Sequence, residues 1–388
     1  MNFKKRGFLV LFLIVLLVFA AGCGGGKVTE GDGGDTSTEK GDIKLGIITI
    51  LSGDGAGYGT SIKQGFEIAQ DRINSSGGID GRNIALLFED SGGDKNEAIN
   101  LAQKLINKDE VLAILGPTYS GEMFAVGPIA DQAKVSIMGT STTATGIGEI
   151  GPYVFRNALP ESGVIPSTVK NSQRKYGFKR VALMYSSNND FTVSAAETFK
   201  EALVAQGIEL VETQTFSDGD TNFQAQLTNV LAAKPEAIAL SALYKEGALV
   251  LIQARQQGLD LPVMGGNGLN SPELMKIAGD AADGVLVGSP WFVGKDDPDV
   301  QAFVKEYNER YGTDPDQFAA QAYDALGIFA QAAKAEGASN NREAFRDALA
   351  AIKDYQGVTG SFSFDDNGNP VMEATLLEVE GGKYQEVK

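Results

Sequence analysis

From Ile43 onward the chain alternates short apolar runs with longer stretches of helical periodicity, the pattern of a parallel sheet with crossover helices. The first half offers the runs IKLGIITI (43–50), IALLFED (84–90), VLAILG (111–116) and VSIMGT (135–140). The second half offers RVALMYS (180–186), IELVETQTF (208–216), AIALSA (237–242) and PVMGGN (262–267). Between them, Ile62, Phe66, Ala69 and Ile73 form one helical stripe, and Ser61 with Gln64 has the spacing of a capping box. Ala98, Leu101, Ala102 and Leu105 form another stripe, behind the possible box of Asp94 and Glu97.

The scheme is duplicated. Residues 93–116 (GDKNEAINLAQKLINKDEVLAILG) match residues 219–241 (GDTNFQAQLTNVLAAKPEAIALS) in order and in the G-D-x-N start, and both read as loop, helix and strand. Two such units predict an α/β chain of two Rossmann-like lobes, each with its ligand edge at the carboxyl ends of its strands and a cleft between them. After Trp291 three helical stretches follow (298–312, 317–337 and 341–352), then strand-like segments around a D-N-G turn that complete one or both lobes.

The N-terminus follows a different pattern. Lys4, Lys5 and Arg6 precede the apolar run Phe8–Phe19, too short to span a bilayer comfortably and suited to an export signal. The run ends in AAGC (20–23), which resembles the lipobox of bacterial lipoproteins, in which the cysteine is lipidated. That makes residues 1–22 a signal peptide and Cys23 a membrane anchor, although an ordinary A-x-A cleavage would leave Cys23 a free thiol. Residues 24–41 are glycine-rich without apolar periodicity and read as a tether, so the folded body starts near Asp42.

Composition narrows the chemistry. A formal charge of −17 with no basic patch argues against nucleic acid as a partner. With no histidine and Cys23 the only cysteine, Ser-His and Cys-His catalysis and the usual zinc, haem and iron–sulfur ligands are absent. No G-x-S-x-G marks a hydrolase. A carboxylate-only or lysine enzyme stays open on composition, but the expectation is no catalytic residue, no metal and no cofactor. The loop SGDGAGYGTS (52–61) follows the first strand, yet its glycines alternate, Asp54 would face any phosphate, and no G-K-[ST] occurs. It fits neither a dinucleotide loop nor a P-loop. It reads as a binding loop contributing backbone and Tyr58, or as a plain strand–helix turn.

The order of DIKLGIITILSGDGAGYGTSIKQGFEIAQDRINSSGGIDGRNIALLFEDSGGD, AILGPTYSGEMFAVGPIAD, SIMGTSTTAT, YVFRNALP and LIQARQQGL resembles the leucine/isoleucine/valine-binding proteins. These are type I periplasmic-binding proteins that feed branched-chain amino acid ABC importers. The resemblance implies two lobes joined by three crossovers near residues 155–160, 286–292 and 357–363. Lobe I is then 42–157 plus 290–358, and lobe II is 158–289 plus 359–388. It further implies that Ser120 in GPTYSGE, the backbone of Ser141 and the hydroxyl of Thr143 hold a ligand carboxylate, with Tyr58 and Phe191 lining the site. One departure stands out. The family's amine-binding acid, in M-G-x-[E/D]-G, falls on MGGNG, so Asn267 replaces it at a loss of about 1 to 2 kcal/mol toward an ammonium. Asp190, Glu246 and Asp324 are candidate substitutes, while Tyr244 offers a neutral donor or an aromatic wall.

What the resemblance implies is an exported, lipid-anchored, extracytoplasmic protein that binds a small molecule in its cleft and passes it to a membrane permease. The ligand is a branched-chain or related amino acid or, given Asn267, an amine-free aliphatic or aromatic carboxylate. The same clamshell also serves sensory receptors, and nothing in the chain separates transport from sensing.

Overall fold

The computed structural model describes residues 41–387. The export signal, Cys23 and all but the last tether residue lie outside the described residues. Sheet one takes β1 (Ile43–Thr49), β2 (Ile84–Asp90), β3 (Ala113–Leu115), β4 (Ser136–Gly139) and β5 (Val154–Arg156), all parallel, in the order β2-β1-β3-β4-β5. β1 is an interior strand, flanked by β2 and β3, and six of its seven residues are buried, which is why its apolar run is nearly unbroken. Helices α1 (Ala56–Ser75), α2 (Lys95–Asn107) and α3 (Ser120–Gln132) connect these strands.

The chain then crosses into α4 (Glu161–Tyr176) and repeats the plan with β6 (Arg180–Ser186), α5 (Asp190–Ala205), β7 (Glu209–Phe216), α6 (Gln224–Ala233), β8 (Ala237–Ser241), α7 (Tyr244–Gln256), β9 (Val263–Gly265), α8 (Pro272–Ala278) and β10 (Val285–Ser289). The order β7-β6-β8-β9-β10 repeats that of sheet one strand for strand. The matching stretches 93–116 and 219–241 occupy equivalent places, α2–β3 and α6–β8, so the duplication read in the sequence is a duplication of topology.

Helices α9 (Pro298–Tyr311), α10 (Gln317–Ala333) and α11 (Arg342–Ala350) return to lobe I, where α10 lies along α1. A small antiparallel sheet of β11 (Tyr355–Gly357), β12 (Gly360–Phe364) and β13 (Pro370–Val371) follows. Then β14 (Thr375–Glu380) and β15 (Lys383–Glu386) extend sheet two, antiparallel to β10. The third passage between sheets thus runs after Val371, later than residues 357–363. Its cause is packing on β5: the Phe364 ring meets Phe155 edge-on at 5.1 Å, and Arg156 Nε donates to Asn369 Oδ1 at 2.7 Å.

Two local readings resolve differently. Asp94 caps α2 as expected, accepting the N–H groups of Asn96 and Glu97 at 2.8 and 2.9 Å. Ser61 and Gln64 do not cap α1, which begins at Ala56; Ser61 lies inside the helix and donates to Asp316 Oδ2 at 2.8 Å. The helix extends through the glycine run because close approach requires it. A Cβ on Gly59 would collide with the Ile50 carbonyl oxygen, and one on Gly65 with that of Ala319 in α10.

Asp324 of α10 is buried and locks the segment after β11. Its carboxylate accepts the N–H of Val358 at 2.9 Å, the N–H of Thr359 at 2.8 Å and the Thr359 hydroxyl at 2.6 Å. Asp324→Ala strands two buried N–H groups and is expected to lower unfolding free energy by about 3 kcal/mol. Denaturant titration checks this, and a loss under about 1 kcal/mol would contradict it.

Candidate functional site

Because β1–β5 run parallel in one sheet and β6–β10 in the other, their carboxyl ends share one edge in each lobe, and the following helices begin there. Tyr58 is the third residue of α1, Ser120 the first of α3, Glu161 the first of α4, Phe191 the second of α5, Tyr244 the first of α7 and Phe318 the second of α10. The opening N–H groups of a helix have no partner inside it, and the helix dipole is positive there, so this junction favours an anion.

Between the lobes lies a cavity of about 20 Å³, room for about one water molecule. Tyr58, Ser120, Ser141, Phe191 and Asn267, read from the sequence, all line it. The Ser120 hydroxyl accepts the Ala144 N–H at 3.2 Å, leaving its own hydrogen to donate. Ser141 spends its hydroxyl on the Thr118 carbonyl at 2.6 Å, so its contribution to a ligand is backbone. Thr118, Tyr119, Leu243, Gly268 and Phe318 complete the wall and were not anticipated.

Thr143 and Tyr244 stand behind this wall. The Thr143 carbonyl accepts the Glu161 N–H at 3.0 Å, and its hydroxyl lies beside the Glu161 carboxyl. Tyr244 packs on Tyr58 with ring centroids 4.6 Å apart. The Tyr58 hydroxyl donates to the Gly268 carbonyl at 2.6 Å and accepts the Tyr244 N–H at 2.9 Å, joining lobe I to lobe II. Burial pushes the Tyr58 phenol well above its ordinary range, so it stays a donor.

The candidate acids are occupied elsewhere. Asp190 pairs with Lys95 at the rim at 2.6 Å, Glu246 accepts the Gly219 N–H at 2.9 Å, and Asp324 holds the segment after β11. The acid that reaches this region is Glu161, 1% exposed. One oxygen accepts the Asn267 N–H at 2.7 Å, and the Asn267 side chain accepts a hydrogen bond from Gln317. Burial lifts the Glu161 carboxyl to about 7, with the Asn267 N–H and Thr143 opposing it. Glu122, also buried, is pushed to about 7 by the same cause and accepts the Tyr119 N–H at 2.9 Å. Among the described residues no group of three or more His, Cys, Asp or Glu is placed to hold a metal ion.

Comparison with known proteins agrees with this architecture. A family profile for periplasmic binding proteins matches residues 42–383. A Leu/Ile/Val-binding protein of Rhizobium johnstonii is 26% identical over 344 residues, covering 88% of this chain and 93% of that protein. The branched-chain amino acid transporter substrate-binding protein of Streptococcus pneumoniae, solved with isoleucine, is 32% identical with a TM-score of 0.84, covering 89% of this chain and 99% of its own. A solute-binding protein from R. palustris, solved with benzoate, is 25% identical with a TM-score of 0.82, covering 89% and 96%.

Tyr58→Phe removes both hydroxyl bonds across the cleft. Apposed lobes then leave the Gly268 carbonyl and Tyr244 N–H unpaired, whereas water satisfies both once the lobes part. The expected shift toward the open form is about 2 kcal/mol, roughly thirtyfold. Fluorophores on the two lobes read it as a longer separation. An unchanged separation would show that this bridge does not govern closure.

Proposed function

Because the chain belongs to the periplasmic binding protein family, alongside Leu/Ile/Val-binding relatives, we propose that it captures a branched-chain amino acid between its lobes and hands it to the permease of an ABC importer. The observation that carries the ligand assignment is the pairing of opposite chemistries at one junction. Hydroxyl and N–H donors at helix N-termini suit a carboxylate, and a buried acid stands beside them for an ammonium.

In this reading the ligand carboxylate takes the Ser120 hydroxyl, the Ser141 N–H and, as the wall adjusts, the Thr143 hydroxyl. The ammonium goes to Glu161, held in place by the Asn267 N–H. Asn267 thus serves by positioning an acid rather than by being one. Phe191, Leu243, Phe318 and Tyr58 enclose an aliphatic side chain, and Tyr244 secures the closed form. A cavity with room for a single water admits no amino acid while the lobes stay together. Binding therefore requires opening about the three passages between lobes, then closure that buries the ligand. Cys23, lipidated, would hold the protein at the outer face of the membrane on its tether, within reach of the permease.

Calorimetry with leucine, isoleucine, valine, the 2-oxo acid of leucine and benzoate tests the ligand class. The amino acids are expected to bind at least tenfold more tightly than the amine-free acids. Tighter binding of the oxo acid or benzoate would overturn the assignment in favour of an amine-free carboxylate. Glu161→Gln should weaken leucine about ten- to hundredfold and leave the oxo acid unchanged.

The pH dependence has a defined sign. An ammonium needs Glu161 ionised, and with the lobes together burial lifts its carboxyl to about 7. Leucine affinity should be level above that pH and fall by up to tenfold per unit below it, about thirtyfold weaker at pH 5.5. The Glu161→Gln protein should show a flat profile, and an equally steep one would exclude Glu161 as the cause.

A further inference from the structure

A second cavity, of about 770 Å³, lies next to the closed site and is bounded by both lobes. Lobe I supplies the start of α1 and residues 313–317; lobe II supplies α8 and the turn at residues 382–385. Its volume is within the range of small-molecule sites, and nothing in the amino acid binding reading uses it. Buried amides separate and connect the two spaces. Gln317 donates to the Asn267 side chain, which faces the closed site, and accepts from Asn270 Nδ2 at 2.7 Å on the side of the second cavity.

The walls specify a chemistry. Phe292, Tyr307, Tyr311 and Tyr384 supply aromatic surface. The tyrosine hydroxyls are engaged by the protein itself: Tyr307 with Gln64 at 2.5 Å, Tyr311 with Glu67 at 3.0 Å, and Tyr384 with the Leu269 carbonyl. The rings therefore act as apolar faces rather than as donors. Of the charged groups in the lining, Lys276 is paired with Glu273 at 2.6 Å, and Lys383 at the start of β15 is the one further cation. Asp316 is held by neutral donors only, the Ser61 hydroxyl at 2.8 Å and the Ala319 N–H at 2.9 Å, and Asp314 by Asn308 at 2.8 Å. Asp314 and Asp316 outnumber Lys383, so the lining keeps an acidic excess beside its aromatic faces, which matches an organic cation with an apolar body.

We propose that this chamber binds a second small molecule, an organic amine with an aromatic or aliphatic body, at the same time as the closed site holds its own ligand. Both lobes wall the chamber, so an occupant contacting both favours closure. By linkage it raises affinity at the closed site, and the closed-site ligand raises its affinity in return.

The test uses benzylamine as the probe and uncharged benzyl alcohol as its control, titrated by calorimetry with and without saturating leucine. The expected result is saturable one-to-one binding of benzylamine, kept or tightened by leucine, and at least tenfold stronger than that of benzyl alcohol. Thr60→Trp, at the exposed rim on α1, should crowd the chamber on its lobe I side and weaken benzylamine binding with leucine affinity unchanged. Asp316→Asn, which keeps an acceptor for the Ala319 N–H, should weaken benzylamine at least tenfold. Displacement of benzylamine by leucine would place it in the closed site and overturn the proposal. So would equal binding of the alcohol, full binding to the Thr60→Trp protein, or no saturable binding up to millimolar concentration.

Discussion

The parallel direction of the strands is the constraint from which the site follows. Each sheet delivers its carboxyl ends to one edge, and the helices that leave those ends point their N-termini into the space between lobes. Residues as distant in sequence as Ser120, Glu161, Phe191 and Tyr244 meet because each occupies the first or second position of a helix that leaves a strand end. The chain carries a formal charge of −17, yet it builds a junction suited to an anion. Exposed charges more than about 8 Å away are largely screened at physiological salt, whereas unpaired N–H groups act at hydrogen-bond distance.

Much of this was legible in the chain. Buried parallel strands are apolar on both faces, so runs such as IKLGIITI stand out, and the repeated loop–helix–strand unit disclosed two lobes with one strand order. The cleft residues Tyr58, Ser120, Ser141, Phe191 and Asn267 came from loops whose resemblance to a family gave their positions, and the structure brings all five to one cavity. Glu161 escaped because an acid in the first turn of a helix is ordinarily there for the dipole. What distinguishes it is burial and a bond to Asn267, 106 residues away, and neither has a local signature. The chain also offered no sign that Asp190, Glu246 and Asp324 were already committed. The position of β12 was equally hidden, since its path depends on Phe364 meeting Phe155 across more than 200 residues.

In the proposed reading Glu161 also couples the ligand to closure. A carboxyl without water or a cation is costly as an anion, and its rise to about 7 expresses that cost. In the apposed lobes it is relieved either by a proton or by a ligand's ammonium. Near neutral pH the proton is only partly available, so in the proposed reading an ammonium is what makes the closed form favourable. Replacing Glu161 with an apolar residue would remove the cost and with it the requirement for a cation before the lobes close.

The contacts that hold the lobes together divide by burial. The rim pairs Lys95–Asp190 and Lys245–Asp54, at 2.6 and 2.7 Å, have side chains one third to two thirds exposed. Such pairs contribute about 0–1 kcal/mol and weaken with salt. The Tyr58 hydroxyl, between the Gly268 carbonyl and the Tyr244 N–H, is out of water, and breaking it in the closed form strands two backbone groups. Rim charges therefore guide the lobes toward each other, while Tyr58 discriminates the fully closed arrangement from one a fraction of an ångström short. Because Tyr58 lines the cavity as well, the proposed site would reject a ligand whose shape displaces its ring, since that costs the bridge. On that reading recognition and closure meet at Tyr58.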